Sequence, residues 1–153
     1  MSSEKTVWDY FYVAIQGLLF LTYALVPPEF LSFQLPTLIT YLGLLLSICG
    51  LGTCGLALLQ LNKNLSPFPT PLRDGQLVTH GMYRLARHPI YTGLLLLFFG
   101  YALFSSSGLR LLLSLGLGIL FHFKSSYEEC LLAQKFPAYS EYQEKVGRFS
   151  PWW

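Results

Sequence analysis

Charge is scarce in this chain. Asp, Glu, Lys and Arg make up 12% of its 153 residues, about half the share of an ordinary soluble domain. A soluble helical bundle needs polar outer faces, and "LLLSLGLGILF" at 111–121 has almost none. The net charge is only +2, so nothing in it points to a nucleic-acid partner and none is expected. Cysteine is also sparse. Cys49, Cys54 and Cys130 form no C-x-x-C pair and match no metal-ligand spacing. No metal centre is expected, and all three read as small buried residues. A cleavable leader is not apparent either. Asp9 and Gln16 interrupt the first apolar run, and no small-x-small site follows it. The first helix is expected to be retained.

What the chain has is apolar length. Hydrophobic residues make up 53% of it. A membrane-spanning helix needs roughly 20 mostly apolar residues, and four segments come near that: Tyr10 to Val26, Leu38 to Leu61, Ile90 to Phe104 and Leu109 to Phe123. The last two are separated by "SSSG" and read as a tight helical hairpin. Beyond them Leu131, Leu132, Phe136 and Tyr139 alternate with polar residues, as in an interfacial amphipathic helix. Trp152 and Trp153 also suit a membrane interface. The expected fold is an all-α integral membrane protein with about four transmembrane helices plus a C-terminal interfacial amphipathic helix. It forms a single membrane domain over 1–153, with an N-terminal helix pair at 1–61 and a functional half at 62–153. Gly43, Ser47, Gly50, Gly52 and Gly55 mark the second helix as one that packs closely against a neighbour.

The few charges are unevenly placed. "PPEFLSFQLP", between the first two helices, has no Lys or Arg. Lys63, Arg73, Arg84 and Arg87 lie between the second and third, and Lys124, Lys135, Lys145 and Arg148 follow the fourth. The positive-inside rule then places both termini and the middle loop in the cytoplasm, with only Arg110 outside.

Polar residues collect in two places. The stretch 62–88 begins "NKNLSPFPTPLRDG", where Pro67, Pro69 and Pro71 forbid a helix. A loop this long in so small a domain is often functional. It ends "YRLARHPIYTG". Pro89 suits the first position of a helix, so the third helix is expected to begin there and to aim its positive dipole end at the loop. Such an end suits an anionic group, and Gly93 leaves room for a close approach to the backbone. The second cluster, "EE" at Glu128 and Glu129, falls where the fourth helix leaves the membrane. Because the third and fourth helices are antiparallel neighbours, the two clusters are expected to meet.

Each of these residues has an ordinary explanation when taken singly. Arg84 and Arg87 suit headgroup anchoring, His88 a cap, Glu128 an i, i+4 pair with Lys124, and Tyr83 and Tyr91 an aromatic belt. Jointly they are harder to dismiss, because glutamates at a membrane exit add little as anchors.

"LVTHGMYRLARHPIYTG", followed by "EECLLAQKFPAYSEYQEKVGRFSP", resembles the isoprenylcysteine carboxyl methyltransferase family, whose wider group includes phospholipid N-methyltransferases. The match runs from about residue 62 to 151, and "NLSPFPTP" looks like small prokaryotic members. The resemblance implies an integral membrane methyltransferase with S-adenosylmethionine as cofactor. Carried over by position, it implies cofactor contacts from Gln76, Leu77, Val78, Tyr83, His88, Pro89, Tyr91 and Glu128. Glu128, Arg87 and Glu129 are the expected catalytic group. Where eukaryotic members carry an arginine that contacts the substrate carboxylate, this chain has Lys124, which keeps the charge and loses the bidentate fork. A lipid-like methyl acceptor, bearing a carboxylate, amine or hydroxyl group and entering from the bilayer, is the expected partner. The competing readings are an NADPH-dependent membrane reductase of the sterol-reductase type and a small membrane protein without catalysis.

Overall fold

The computed structural model describes residues 4–27 and 30–151. Trp152 and Trp153, expected at an interface, lie outside the described residues. Five α-helices are present among those described: α1 Val7–Leu25, α2 Thr37–Leu61, α3 Pro89–Phe104, α4 Gly108–Lys135 and α5 Tyr139–Lys145. No strand occurs among the described residues; a single bridge joins Ser32 to Ser107. α2 packs on α3, α3 on α4, and α4 on α1.

The α2–α3 contact explains the small residues. A Cβ on Gly93 would lie 2.6 Å from the Cys54 amide nitrogen, and one on Gly50 would lie 2.6 Å from the Gly93 carbonyl oxygen. One on Gly43 would come 2.7 Å from the Gly100 carbonyl oxygen. Backbone therefore meets backbone over two helical turns, which only residues without a side chain allow. Ser47 fills the gap between these contacts and donates its hydroxyl to the Leu97 carbonyl at 3.1 Å. Two details differ from expectation. Gly52 and Gly55 face open space, because they sit on the other side of α2. The close approach at Gly93 is taken by α2 itself.

The outer faces are apolar. Leu45, Ile48, Leu51 and Leu59 of α2 and Leu112, Leu115, Ile119 and Phe123 of α4 are all more than half exposed. A coat of this extent fits hydrocarbon rather than water. By length and composition, α2 and α4 are apolar enough to cross a membrane, and α3 is a shorter apolar helix. α1 has 19 residues and carries Asp9. Of the cysteines, only Cys54 is buried; Cys49 and Cys130 are exposed, because they lie on the outward sides of α2 and α4.

The fourth helix is longer than its apolar run. It continues past Phe123 to Lys135, so Leu131 and Leu132 belong to it. Pro137 then interrupts the chain, and α5 spans only seven residues. Its Tyr139 and Tyr142 are buried against the protein, so its less polar side is occupied by contacts within the chain.

The two ends of the bundle differ in chemistry. At one end the 105–107 turn binds the 31–33 segment, with Phe33 N–H on the Ser106 carbonyl and Gly108 N–H on Leu31. Arg110 is buried there and donates to the carbonyl of Val26, the residue that caps α1, at 2.9 Å. At the other end gather residues 4–9, the 62–88 loop, the start of α3, the last turns of α4, α5 and the C-terminal segment. Of the ten Lys and Arg residues, only Arg110 sits at the first end.

Candidate functional site

A cavity of about 370 Å³ opens at the polar end of the bundle. This lies within the roughly 300–1,000 Å³ range of small-molecule sites. One wall is the 64–78 loop, the second is the 83–94 stretch leading into α3, and the third is α4 from Lys124 to Leu132. The structure brings Gln76, Leu77, Val78, Tyr83, Arg87, His88, Pro89, Tyr91, Lys124 and Glu128 to this one cavity. Glu129 does not line it.

The two glutamates part company because adjacent residues on a helix point about 100° apart. Glu129 turns inward and is 4% exposed. Its Oε1 accepts from Arg87 Nε at 2.8 Å and lies 3.1 Å from His88 Nε2. Its Oε2 accepts from Arg148 Nη2 at 2.9 Å and from Gln143 Nε2 at 3.1 Å. With two guanidinium partners and a filled hydrogen-bond shell, this carboxylate is held ionised and has no oxygen left for a ligand. Arg87 continues the lacing, donating from Nη1 to the Gln143 and Val146 carbonyls. The C-terminal segment is then stitched to the loop by Arg87 N–H on Gly147 O at 2.9 Å and His88 N–H on Arg148 O at 3.0 Å. Arg87 and Glu129, expected in the reaction, therefore form a clamp that closes the back of the cavity.

Glu128 faces the cavity, with its side chain 25% exposed. Its Oε2 accepts from the Tyr91 hydroxyl at 2.9 Å. Tyr91 is stacked between His88, at 5.4 Å between ring centroids, and Phe121, at 4.6 Å. α3 starts at Pro89 with His88 as its N-cap, so the proline locks the base of this stack. Tyr83 and Tyr142 close the side. The Tyr142 hydroxyl donates to the Tyr83 carbonyl, and burial pushes its phenol up to about 12.

Lys124 is the cation at the cavity floor. It is 1% exposed and does not pair with Glu128. Its Nζ donates to Gln16 Oε1 at 2.6 Å and to the Pro67 carbonyl at 3.0 Å, and it lies 5.4 Å from the Tyr91 ring centroid. No carboxylate forms an ion pair with it among the described residues. Arg84 is exposed and likewise forms no ion pair among the described residues.

The polar residues of α1 complete the site. Asp9 is fully buried. It accepts from Thr70 N at 2.8 Å and Thr70 Oγ1 at 2.7 Å, and from Thr6 N at 2.7 Å. Lys5 lies 3.8 Å over the Phe68 ring. The proline-rich strap 66–71 is thereby fastened across the cavity by the first helix. These contacts went unread in the sequence, although Asp9 and Gln16 are visible there as polar interruptions of an apolar run.

This combination defines a helical membrane protein with a small-molecule pocket at one end of its bundle. The chain belongs to the phospholipid methyltransferase family, whose pattern it matches over residues 38–138. It is 33% identical over 130 residues to the probable protein-S-isoprenylcysteine O-methyltransferases of Oryza sativa subsp. indica and subsp. japonica, across 82% of this chain and 66% of theirs. Its fold is similar to that of the eukaryotic intramembrane Ras methyltransferase, an isoprenylcysteine carboxyl methyltransferase, with a TM-score of 0.64 at 23% identity. That likeness covers 97% of this chain and 54% of the other. The chain thus spans about two thirds of the length of these curated relatives and about half of the solved one.

Proposed function

We propose that the protein is a methyltransferase that uses S-adenosylmethionine to methylate a carboxylate on a lipid-like acceptor at the cytoplasmic face of a membrane. The observation that carries the acceptor class is Lys124. It is a buried ammonium whose described partners are neutral oxygens, and burying a cation without a counter-charge is costly. An acceptor carboxylate supplies that charge.

The cavity suits the cofactor in size and in donor set. Glu128 offers a carboxylate to an ammonium or a ribose diol, and Leu77, Val78 and Leu94 offer an apolar slot. When bound, the cofactor supplies an electrophilic methyl group. The chain's own part is positioning and exclusion of water. The Asp9-held strap covers the cavity, the Arg87–Glu129 clamp fixes its back, and Lys124 orients the acceptor. A carboxylate acceptor needs no general base, in keeping with a Glu129 whose oxygens are all engaged.

The reductase alternative needs cations for a dinucleotide's phosphates. The charges of Arg87 and Arg148 are balanced by Glu129. Among the described residues this leaves Lys124 as the one Lys or Arg of the cavity lining without a carboxylate partner, too little positive charge for a dinucleotide's several phosphates. Calorimetry on the detergent-purified protein is expected to show S-adenosylmethionine binding more tightly than NADPH. Tighter NADPH binding would sink the methyltransferase reading.

The topology proposed is four crossings with both termini cytoplasmic. It draws on the concentration of Lys and Arg at the cavity end. With the native cysteines replaced by serine, a cysteine at Ser32 is expected to react with an impermeant thiol reagent added outside intact cells. One at Ser66 is expected to stay unlabelled. The reverse pattern would refute this orientation.

A further inference from the structure

Tyr139 opens α5 and lines the cavity at 1% exposure. Its ring packs edge-on against Tyr142 with centroids 5.8 Å apart. The other phenols around the cavity all have partners: Tyr91 donates to Glu128, Tyr83 to the Ala57 carbonyl and Tyr142 to the Tyr83 carbonyl. The Tyr139 hydroxyl is buried and has no partner among the described residues. Buried polar groups are nearly always satisfied, and an orphan on the wall of a cavity is placed to meet whatever fills it. Phenylalanine would fill the same space, so packing does not explain the hydroxyl.

We infer that the Tyr139 hydroxyl contacts the cofactor, donating a hydrogen bond to an oxygen of its ribose or its amino-acid end. This rests on the methyltransferase reading above and adds a residue to it. Burial pushes the Tyr139 phenol up, with Glu129 and Glu128 adding to the rise and Arg87 opposing it. The group is therefore neutral at physiological pH and available as a donor. Arg87 also lines the cavity, and its Nη2 makes no hydrogen bond among the described residues. A carboxylate beside Tyr139 would meet both.

The test is Tyr139→Phe in the full chain, read by thermal unfolding without ligand and by calorimetric affinity. Two probes are used: S-adenosylmethionine, and 5′-methylthioadenosine, which keeps the ribose and lacks the amino-acid end. The ligand-free variant is expected to melt at or above the parent temperature, because an unsatisfied polar group has gone. Its S-adenosylmethionine affinity is expected to fall roughly three- to tenfold. A loss confined to S-adenosylmethionine assigns the hydroxyl to the amino-acid end, and an equal loss for both probes assigns it to the ribose. Parent-like S-adenosylmethionine affinity would overturn the Tyr139 contact and leave the cofactor site standing. A ligand-free variant that melts well below the parent would also overturn it, by showing a structural partner for the hydroxyl. Failure of the parent itself to bind S-adenosylmethionine would remove the functional reading and this contact together.

Discussion

Replacing Glu129 with glutamine is expected to cost about 3–5 kcal/mol, the scale of removing one partner from a buried ion pair. That is a large part of the roughly 5–15 kcal/mol that keeps a domain folded. The carboxylate receives hydrogen bonds from Arg87, Arg148 and Gln143 and contacts His88 Nε2. A glutamine at this position keeps one acceptor oxygen and turns an NH2 group toward donors. Two guanidinium groups lose their counter-charge, and the loop, α4 and the C-terminal segment lose their common tie. Glu129→Gln is expected to run as aggregate on detergent gel filtration or to melt far below the parent. A variant that melts like the parent and loses only turnover would return Glu129 to the catalytic role its motif implied.

The second large effect is expected at the helix contact. Gly93→Val should cost about 3 kcal/mol or more, at the upper end of overpacking effects. The added Cβ would meet the backbone of α2 at Cys54 and Gly50, and backbone cannot yield as a side-chain tip does. α2 and α3 would have to separate, moving Pro89 and the His88–Tyr91–Phe121 stack with them. Gly52→Ala is the contrast, because nothing lies within 4 Å of its added Cβ. It is expected to be neutral or slightly stabilising through helix propensity. The yield of monodisperse protein and its melting temperature in detergent read both variants. Parent-like melting of Gly93→Val would mean that α2 and α3 do not meet through their backbones.

These two cases show where the sequence is legible. The start of α3 is readable because proline has one favourable helical position, and Pro89 occupies it. The meeting of the two polar clusters is readable because α3 and α4 are joined by a short turn. The length of α4 is not, because residues from Lys124 to Lys135 are polar enough to look like a membrane exit and a separate element. The division of labour between Glu128 and Glu129 is not readable either. It depends on which of two adjacent carboxylates the helix turns toward Arg87 and Arg148, and a motif carries no rotation angle. The role of α1 was hidden for a similar reason. Asp9 and Gln16 look like blemishes in an apolar run until Thr70 and Lys124 arrive beside them through the fold.

We propose above that the cavity at the polar end of the bundle, with Glu128 facing into it, binds S-adenosylmethionine. The most direct test of that proposal is the equilibrium affinity of the purified protein for that cofactor, measured for the parent, Glu128→Gln and Arg84→Ala. Losing a charge-assisted hydrogen bond in a partly buried site costs about 1.5–3 kcal/mol, or roughly ten- to a hundredfold in affinity. Arg84 is exposed and forms no ion pair among the described residues, so its removal should change affinity by well under 1 kcal/mol. Tight binding is expected for the parent and for Arg84→Ala, with binding weakened roughly ten- to a hundredfold in Glu128→Gln. Equal affinity in all three proteins would contradict the proposal and would place the cofactor, if it binds at all, away from this cavity.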